Sequence, residues 1–292
     1  MDFELSDEQR HIRSAVRDFA QAEIAPNAAR YDESGEFPYE WVRGMGELGL
    51  FALAFPESVG GAGGDFVSYC LAMEEIARAD ASAAITLEAG VSLGITPLVK
   101  FGSKAQQERW LPQLLTGERL WAFGLTEPDA GSDAAGTRTR ASLQDGQWVI
   151  NGRKVFITNA GTDISAGVTL TAVTGTDGGR REISAIAVER GTPGYTQAPK
   201  YRKLGWHASD TRELVFDDVR VPEDHLVGPR GEGFSQFMQI LELGRIAIAA
   251  LAVGVAQACL DASLAYAAER KQFGAAIARF QATQFKLADM AT

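Results

Sequence analysis

Six short segments rich in β-branched residues, 137–143, 147–150, 154–157, 168–174, 183–188 and 214–221, follow one another with no helix-length stretch between them. Parallel neighbours need a crossover long enough to hold a helix, so a doubly wound parallel sheet is disfavoured and an antiparallel sheet is expected. The pairs Asp145-Gly146, Asn151-Gly152 and Gly178-Gly179 supply the left-handed backbone that tight hairpins need.

Helical periodicity flanks this region on both sides. Ser6-Asp-Glu-Gln9 matches a capping box, and Ile12, Val16, Phe19 and Ala20 recur at helical spacing until Pro26, which is expected to stop the helix. Further helices are expected over 39–48, with Trp41, Met45 and Leu48 on one side, and from Asp65 or Ser68 to about Arg78. Residues 80–99 are apolar with no clear face, and Ser103 opens another Ser-x-x-Gln box. After the sheet, helical spacing returns over 234–268, and a second helix is expected from about Gly274, carrying Phe280, Phe285, Leu287, Ala288 and Met290. No glycine, proline or basic cap ends that helix before Thr292, so a natural chain of this type is expected to continue. The fold class is α+β multidomain: a helical domain over 1–118, an antiparallel β-domain over 119–230, and the first helices of a C-terminal helical bundle over 231–292.

Twenty-eight Lys and Arg against 38 Asp and Glu give a net charge of -10, which argues against general nucleic-acid binding. Only Cys70 and Cys259 are present, so a reducing, cytoplasmic setting is expected rather than a disulfide framework. The N-terminus carries no basic region followed by an apolar one, so no secretory signal is visible. The apolar run 246–256 falls short of the roughly 20 residues of a membrane helix, and no membrane span is expected. His11, His207 and His225 are scattered and read as surface or loop residues; no metal spacing exists. Gly60-Gly-Ala-Gly-Gly64 does not follow a strand and reads as a flexible turn. No phosphate-loop lysine and no Gly-x-Ser-x-Gly elbow is present.

Three stretches carry chemistry. Phe123-Gly-Leu-Thr-Glu-Pro-Asp-Ala-Gly-Ser-Asp133 is a polar, glycine-containing loop whose Thr126, Ser132 and free N–H groups can meet an anionic or heteroaromatic ligand. Lys154-Val-Phe-Ile-Thr-Asn-Ala160 ends a strand, where Phe156 can pack on an isoalloxazine and Thr158 can hydrogen-bond its N5. Arg270-Lys-Gln-Phe-Gly274 lies between helices, with Arg270 able to meet a pyrophosphate. Together they point to a flavin.

These stretches, with Lys203-Leu-Gly205, Val221-Pro222, Gly231-Glu-Gly-Phe234 and Phe280-Gln-Ala-Thr-Gln-Phe-Lys-Leu-Ala-Asp-Met290, stand in the order seen in the acyl-CoA dehydrogenase family, which the chain resembles along its whole length. The butyryl-like, short-chain subgroup is the most similar. The resemblance implies FAD, an acyl-CoA thioester oxidised to the trans-2-enoyl-CoA, a homotetramer built as a dimer of dimers, and an electron-transfer flavoprotein as acceptor. It also implies that Phe123, Leu125, Thr126, Gly131 and Ser132 line the flavin, with Thr126 near its pyrimidine edge and Ser132 between FAD and the CoA arm. Phe156, Ile157 and Thr158 would cover the other side. Arg270, Phe273 and Gln281 would contact the FAD of a neighbouring subunit.

Glu242, Leu243, Gly244 and Arg245 match the family's substrate-contacting helix segment, with Glu242 where Asp is common. Family members place the catalytic base either at the position of Gly244 or in the chain's final portion. Glycine cannot act as a base, and Glu242 lies roughly 200° around the helix from it, so the base is expected beyond Thr292. Two other readings fit the same scaffold: a flavin oxygenase or oxidase, and a truncated non-catalytic paralogue.

Overall fold

The computed structural model describes residues 4–292; residues 1–3, assigned to the first domain, lie outside the described residues. The N-terminal region is a stack of helices: α1 (Asp7–Phe19), α2 (Ala28–Ser34), α3 (Tyr39–Glu47), α4 (Phe66–Ala79), α5 (Ala81–Glu88), α6 (Thr96–Phe101) and α7 (Lys104–Leu115). Ser6 and Gln9 form the reciprocal capping box expected at the start of α1. Asp65 caps α4 through the Ser68 N–H, and Asp80 caps α5 through the Ala83 N–H.

Pro26 does not stop the first helix as expected. The chain passes through a π turn (Ala20–Ile24) and a 3-10 turn (Ala25–Asn27) into α2, and Pro26 sits in the first turn of that 3-10 segment, where a missing N–H costs nothing. The faceless run 80–99 becomes α5, a π-helical segment (Ala89–Ile95) and α6, almost all of it buried. An element enclosed on every side needs no polar stripe.

The sheet has eight strands: β1 (Leu120–Gly124), β2 (Arg140–Gln144), β3 (Gln147–Thr158), β4 (Ser165–Asp177), β5 (Arg180–Glu189), β6 (Tyr195–Gln197), β7 (Thr211–Pro222) and β8 (Leu226–Val227). Their order is β6-β7-β3-β2-β4-β5-β8, antiparallel at every link except the short parallel contact of β2 with β4, and β1 is added in parallel beside β4. Asn151-Gly152 is not the expected turn. β3 runs straight through it, and the bulge opposite Ile150 and Gly152 lies on β7, whose extra residue is taken up with Asp218 at a φ of 49°.

After the sheet comes α8 (Gly233–Glu269), then a small hairpin of β9 (Lys271–Gln272) and β10 (Ala275–Ala276), a 3-10 turn, and α9 (Gln281–Ala291). The last helix therefore starts later than Gly274, because Phe273 and Gly274 both take positive φ, 50° and 78°, as a two-residue hairpin turn requires.

Two hydrophobic cores result. One joins the N-terminal helices to β1 and α8 through Trp41, Phe51, Tyr69, Trp121, Phe237 and Leu251; the other lies in the sheet around Trp148, Ile150, Leu170, Ile186 and Phe216. Two scattered motifs are packed rather than free. His225 is buried, its Nδ1 3.0 Å from the Ala187 carbonyl oxygen and its ring edge-on to Trp110, so it is not a surface residue. The glycine-dense turn also lies against the fold, since a Cβ on Gly61 would stand 2.1 Å from the Phe55 carbonyl oxygen.

Two helical stretches, Ala81–Phe101 and Gly233–Glu269, are long and apolar enough to cross a membrane, more than the run 246–256 alone implies. The first is enclosed in the helical core. The second packs on α4 and leaves Ile246, Ile248, Val253 and Leu264 exposed along its open side. Charge locks that contact: Arg78 of α4 meets Asp261 of α8 at 2.5 Å, while Glu75 of α4 takes Arg13 and Arg17 of α1 at 2.8 and 2.6 Å. The backbones of α4 and α8 approach closely at Gly254, where a Cβ would stand 2.3 Å from the Glu74 carbonyl oxygen. Gly254→Val is expected to destabilise the protein by about 1–3 kcal/mol by forcing the two helices apart. A urea midpoint equal to that of the unsubstituted protein would contradict this close packing.

Candidate active site

The loop after β1 is held by a buried ion pair. Lys154, on β3 and 0% exposed, donates from Nζ to Glu127 Oε1 at 2.7 Å, to the Leu125 carbonyl oxygen at 3.1 Å, and to the hydroxyls of Thr137 and Thr171 at 3.2 and 3.0 Å. Glu127 also accepts from the Thr137 hydroxyl and from the backbone N–H groups of Arg138 and Thr139. The Val155 N–H adds a bond to the Thr126 carbonyl oxygen at 2.9 Å. Leu125 and Thr126 are thus fixed to β3 by their backbone, which leaves both side chains free to face a cavity.

Electrostatics follow from this burial. Desolvation works to raise the Glu127 carboxyl, but Lys154 and the donors around it win and hold it down at about 2. Burial pushes the Lys154 ammonium down to about 8 in spite of Glu127. At neutral pH both are charged.

Beyond the pair, Glu127 and Ala130 exchange two backbone hydrogen bonds of 3.1 Å each, closing a turn around Pro128. Gly131 and Ser132 stand exposed past that turn. On the other side, β3 bulges between Lys154 and Ile157 and lifts Phe156 out at a φ of 59°. Phe156 is 68% exposed and packs only partly on Tyr201, with ring centroids 5.4 Å apart. A large aromatic held outward in a left-handed conformation is costly for the fold alone, and such strain marks functional positions. Asn159 follows at a φ of 60° and donates to the Thr86 carbonyl oxygen at 2.9 Å, tying this strand end to α5.

The two motifs meet. Phe123, Leu125 and Thr126 line one cavity of about 180 Å³ together with Phe156, Ile157 and Thr158, and Ala89, Leu93 and Leu241 close it. Phe123 is itself positioned by Phe237 of α8, stacked with a centroid separation of 4.0 Å. In the helix segment 242–245, Gly244 is buried, Leu243 half-buried, and Glu242 and Arg245 exposed. Leu241 rather than Glu242 reaches the cavity wall. Arg270, Phe273 and Gln281 are exposed at the other end of α8. Thirty-three residues separate Arg270 from Phe237, roughly 50 Å of helix at 1.5 Å per residue, so a single chain does not bring them to this cavity.

Sequence reasoning missed Ala89, Leu93, Leu241 and Glu88. The available signal was Glu88 itself, the only charged residue in the apolar run 81–99. It is 1% exposed, and burial pushes its carboxyl up to about 7, with Ser92 opposing.

The comparisons with known proteins agree along the chain. Residues 6–118, 122–219 and 231–292 match the acyl-CoA dehydrogenase N-terminal, middle and C-terminal domains. A probable acyl-CoA dehydrogenase of Bacillus subtilis is 52% identical over 292 residues, which span 100% of this chain and 76% of the relative. The short-chain-specific acyl-CoA dehydrogenase of Megasphaera elsdenii is 44% identical, over 99% of this chain and 76% of the relative. Among solved structures, butyryl-CoA dehydrogenase from Megasphaera elsdenii superposes with a TM-score of 0.95 at 43% identity, covering 100% of this chain and 76% of that one. A structure described as the electron transferring flavoprotein of Acidaminococcus fermentans, with a mechanism of flavin-based electron bifurcation, gives 0.95 at 41% identity, covering 100% and 76%. A glutaryl-CoA dehydrogenase from Mycobacterium smegmatis in complex with FADH2 gives 0.91 at 34% identity, covering 98% and 72%.

Removing the charge of Glu127 would leave Lys154 buried and unpaired. Glu127→Gln is therefore expected to cost roughly 3–5 kcal/mol of stability. Because the carboxyl of Glu127 is held at about 2 against an ordinary 4.5, its contribution is present above about pH 4.5 and is lost as pH falls toward 2. Denaturation midpoints across that window should fall less steeply in Glu127→Gln than in the unsubstituted protein. Equal slopes would remove the ion pair from the account.

Proposed function

The chain belongs to the acyl-CoA dehydrogenase family, and we propose that it oxidises a short-chain acyl-CoA to the trans-2-enoyl-CoA with FAD as its cofactor. The observation that carries this reading is the cavity shared by Phe123, Leu125 and Thr126 on one strand end and Phe156, Ile157 and Thr158 on another. An outward Phe beside a half-buried threonine hydroxyl fits a flat heteroaromatic ring with hydrogen-bonding edges.

In this reading Phe123, Leu125, Thr126, Gly131 and Ser132 hold one side of the flavin and Phe156, Ile157 and Thr158 the other. FAD, when bound, supplies the acceptor for the hydride that leaves the β-carbon. The chain's own work is placement. The Lys154–Glu127 pair fixes the height of Leu125 and Thr126, and the apolar walls Ala89, Leu93 and Leu241 exclude water from the acyl group. Ser132, Glu242, Leu243, Gly244 and Arg245 contact the thioester and its CoA arm. The α-proton goes to a carboxylate base, a role for which Gly244 has no side chain and the exposed Glu242 is not placed.

Arg270, Phe273 and Gln281 complete the FAD site of a neighbouring subunit in a homotetramer. Their distance from the cavity along α8 and the exposed apolar side of that helix support this reading. An electron-transfer flavoprotein serves as acceptor, in line with the Acidaminococcus structure. Free Cys70 and Cys259 fit a cytoplasmic enzyme. Domain limits at 118/119 and 230/231 belong to the same proposal.

The purified full-length protein should be yellow, and anaerobic addition of butyryl-CoA should bleach its flavin band. An unbleached flavin with short acyl-CoA esters would overturn the proposal. Phe156→Ala should weaken FAD binding about tenfold, within the roughly 0.5–1.5 kcal/mol of an aromatic stack plus its buried area. Fluorescence titration of FAD into the apoprotein measures that change.

A further inference from the structure

A second cavity, of about 480 Å³, lies where α7 and the start of β1 meet the first residues of β4 and the end of β5, and it shares no lining residue with the flavin-type cavity. Three of the residues that line it are arginines, Arg109, Arg119 and Arg190, although the chain as a whole carries a net charge of -10. The three cations are not equivalent. Arg109 ion-pairs with Glu189 Oε2 at 2.7 Å, and the Trp110 indole donates to the other Glu189 oxygen at 2.6 Å, so that carboxylate is neutralised and fully engaged. Arg119 and Arg190 pair with no carboxylate among the described residues. Each donates instead to a backbone carbonyl, Arg119 to that of Asp163 at 3.1 Å and Arg190 to that of Thr162.

Thr162 and Asp163 are consecutive in the connection between β3 and β4, so both guanidiniums are anchored on one turn and line one cavity. A guanidinium carries several N–H donors in a fixed fork, and most of each fork remains for a ligand. Two such forks match the oxygens of a phosphate monoester, which carries about -1.5 to -2 charge at neutral pH. The rim narrows the ligand further. The exposed Asp163 carboxylate and Gln113 amide also line the cavity, and neither side chain makes a hydrogen bond among the described residues. An acceptor and a mixed donor–acceptor beside a phosphate site suit the hydroxyls of a sugar. A nucleobase is disfavoured, because Trp110 and Trp121, the aromatic rings at the cavity, are 6% and 1% exposed and offer no face to stack on.

We propose that this cavity binds a small sugar phosphate, with the phosphate on Arg119 and Arg190 and the hydroxyls on Asp163 and Gln113. The site is separate from those of the flavin and the thioester, and it does not rest on the acyl-CoA reading. Trp121 lines this cavity, and Phe123, two residues on along β1, lines the flavin-type cavity. A bound sugar phosphate therefore ties α7 to the sheet at the root of the strand that leads into the loop beginning at Phe123.

The test uses the full-length protein saturated with FAD and CoA, which keeps the probe out of both of those sites. Calorimetric titration with ribose 5-phosphate should show saturable binding, and ribose alone should show none. Arg119→Gln and Arg190→Gln should each weaken that binding roughly tenfold to a hundredfold, the size of a hydrogen bond to a charged group, with native far-UV circular dichroism in both. Ribose 5-phosphate should also bind more tightly than inorganic phosphate, and Asp163→Asn should bring the two affinities together. No saturable binding, or binding that neither arginine substitution weakens, overturns the proposal, and so does binding lost when CoA is raised further. Equal affinity for inorganic phosphate, or roughly tenfold tighter binding of AMP, overturns the choice of a sugar phosphate.

Discussion

The buried pair of Lys154 and Glu127 is the constraint on which the candidate site depends. Neither charge has water to turn to, so each is compensated only if the loop after β1 and the strand β3 keep their register. That requirement carries the backbone of Leu125 and Thr126 with it, through the Lys154 bond to the Leu125 carbonyl and the Val155 bond to Thr126. A loop that would otherwise be a mobile polar turn becomes a rigid wall. The same strand then bulges and presents Phe156 opposite that wall, so one strand supplies both the anchor and the facing aromatic.

The second dependency is the approach of α8 to the N-terminal helices. Gly254 allows backbone contact with α4, the Arg78–Asp261 pair closes over it, and Phe237 stacks on Phe123. Along this helix, Leu241 and Gly244 come to lie against Leu93 and Glu88. The cavity is therefore a joint product of three parts of the chain, and none of them encloses it alone. The open side of α8 and the distant Arg270 and Phe273 extend the same logic outward, to surfaces that another copy or segment would cover.

Much of this was legible from residue order. Capping boxes at Ser6 and Ser103, the Asp145-Gly146 and Gly178-Gly179 turns, and the absence of helices between strands follow from local chemistry, and the structure carries each of them. The errors came where a neighbour overruled a local signal. Asn151-Gly152 has the composition of a turn, yet β7 pairs on both sides of it and takes the bulge itself, so β3 continues. Pro26 has the composition of a stop, yet a switch to 3-10 geometry lets the chain pass. His225 reads locally as a surface residue of a connection, because nothing near it in the chain marks the Ala187 carbonyl and Trp110 that enclose it.

By itself the sequence determined the helix–sheet–helix layout, the flavin-type motifs and the family, because periodicity, caps and motif order are properties of the chain read in one direction. Tertiary structure alone decided that Leu241 and not Glu242 faces the cavity, and that Glu88 is a buried carboxyl with an unpartnered oxygen beside Gly244. The physical reason is that burial is a property of what surrounds a residue. Glu88 and Gly244 lie far apart in the chain, and only the packing of α8 on the π-helical segment removes water from the one and fills the space left by the other.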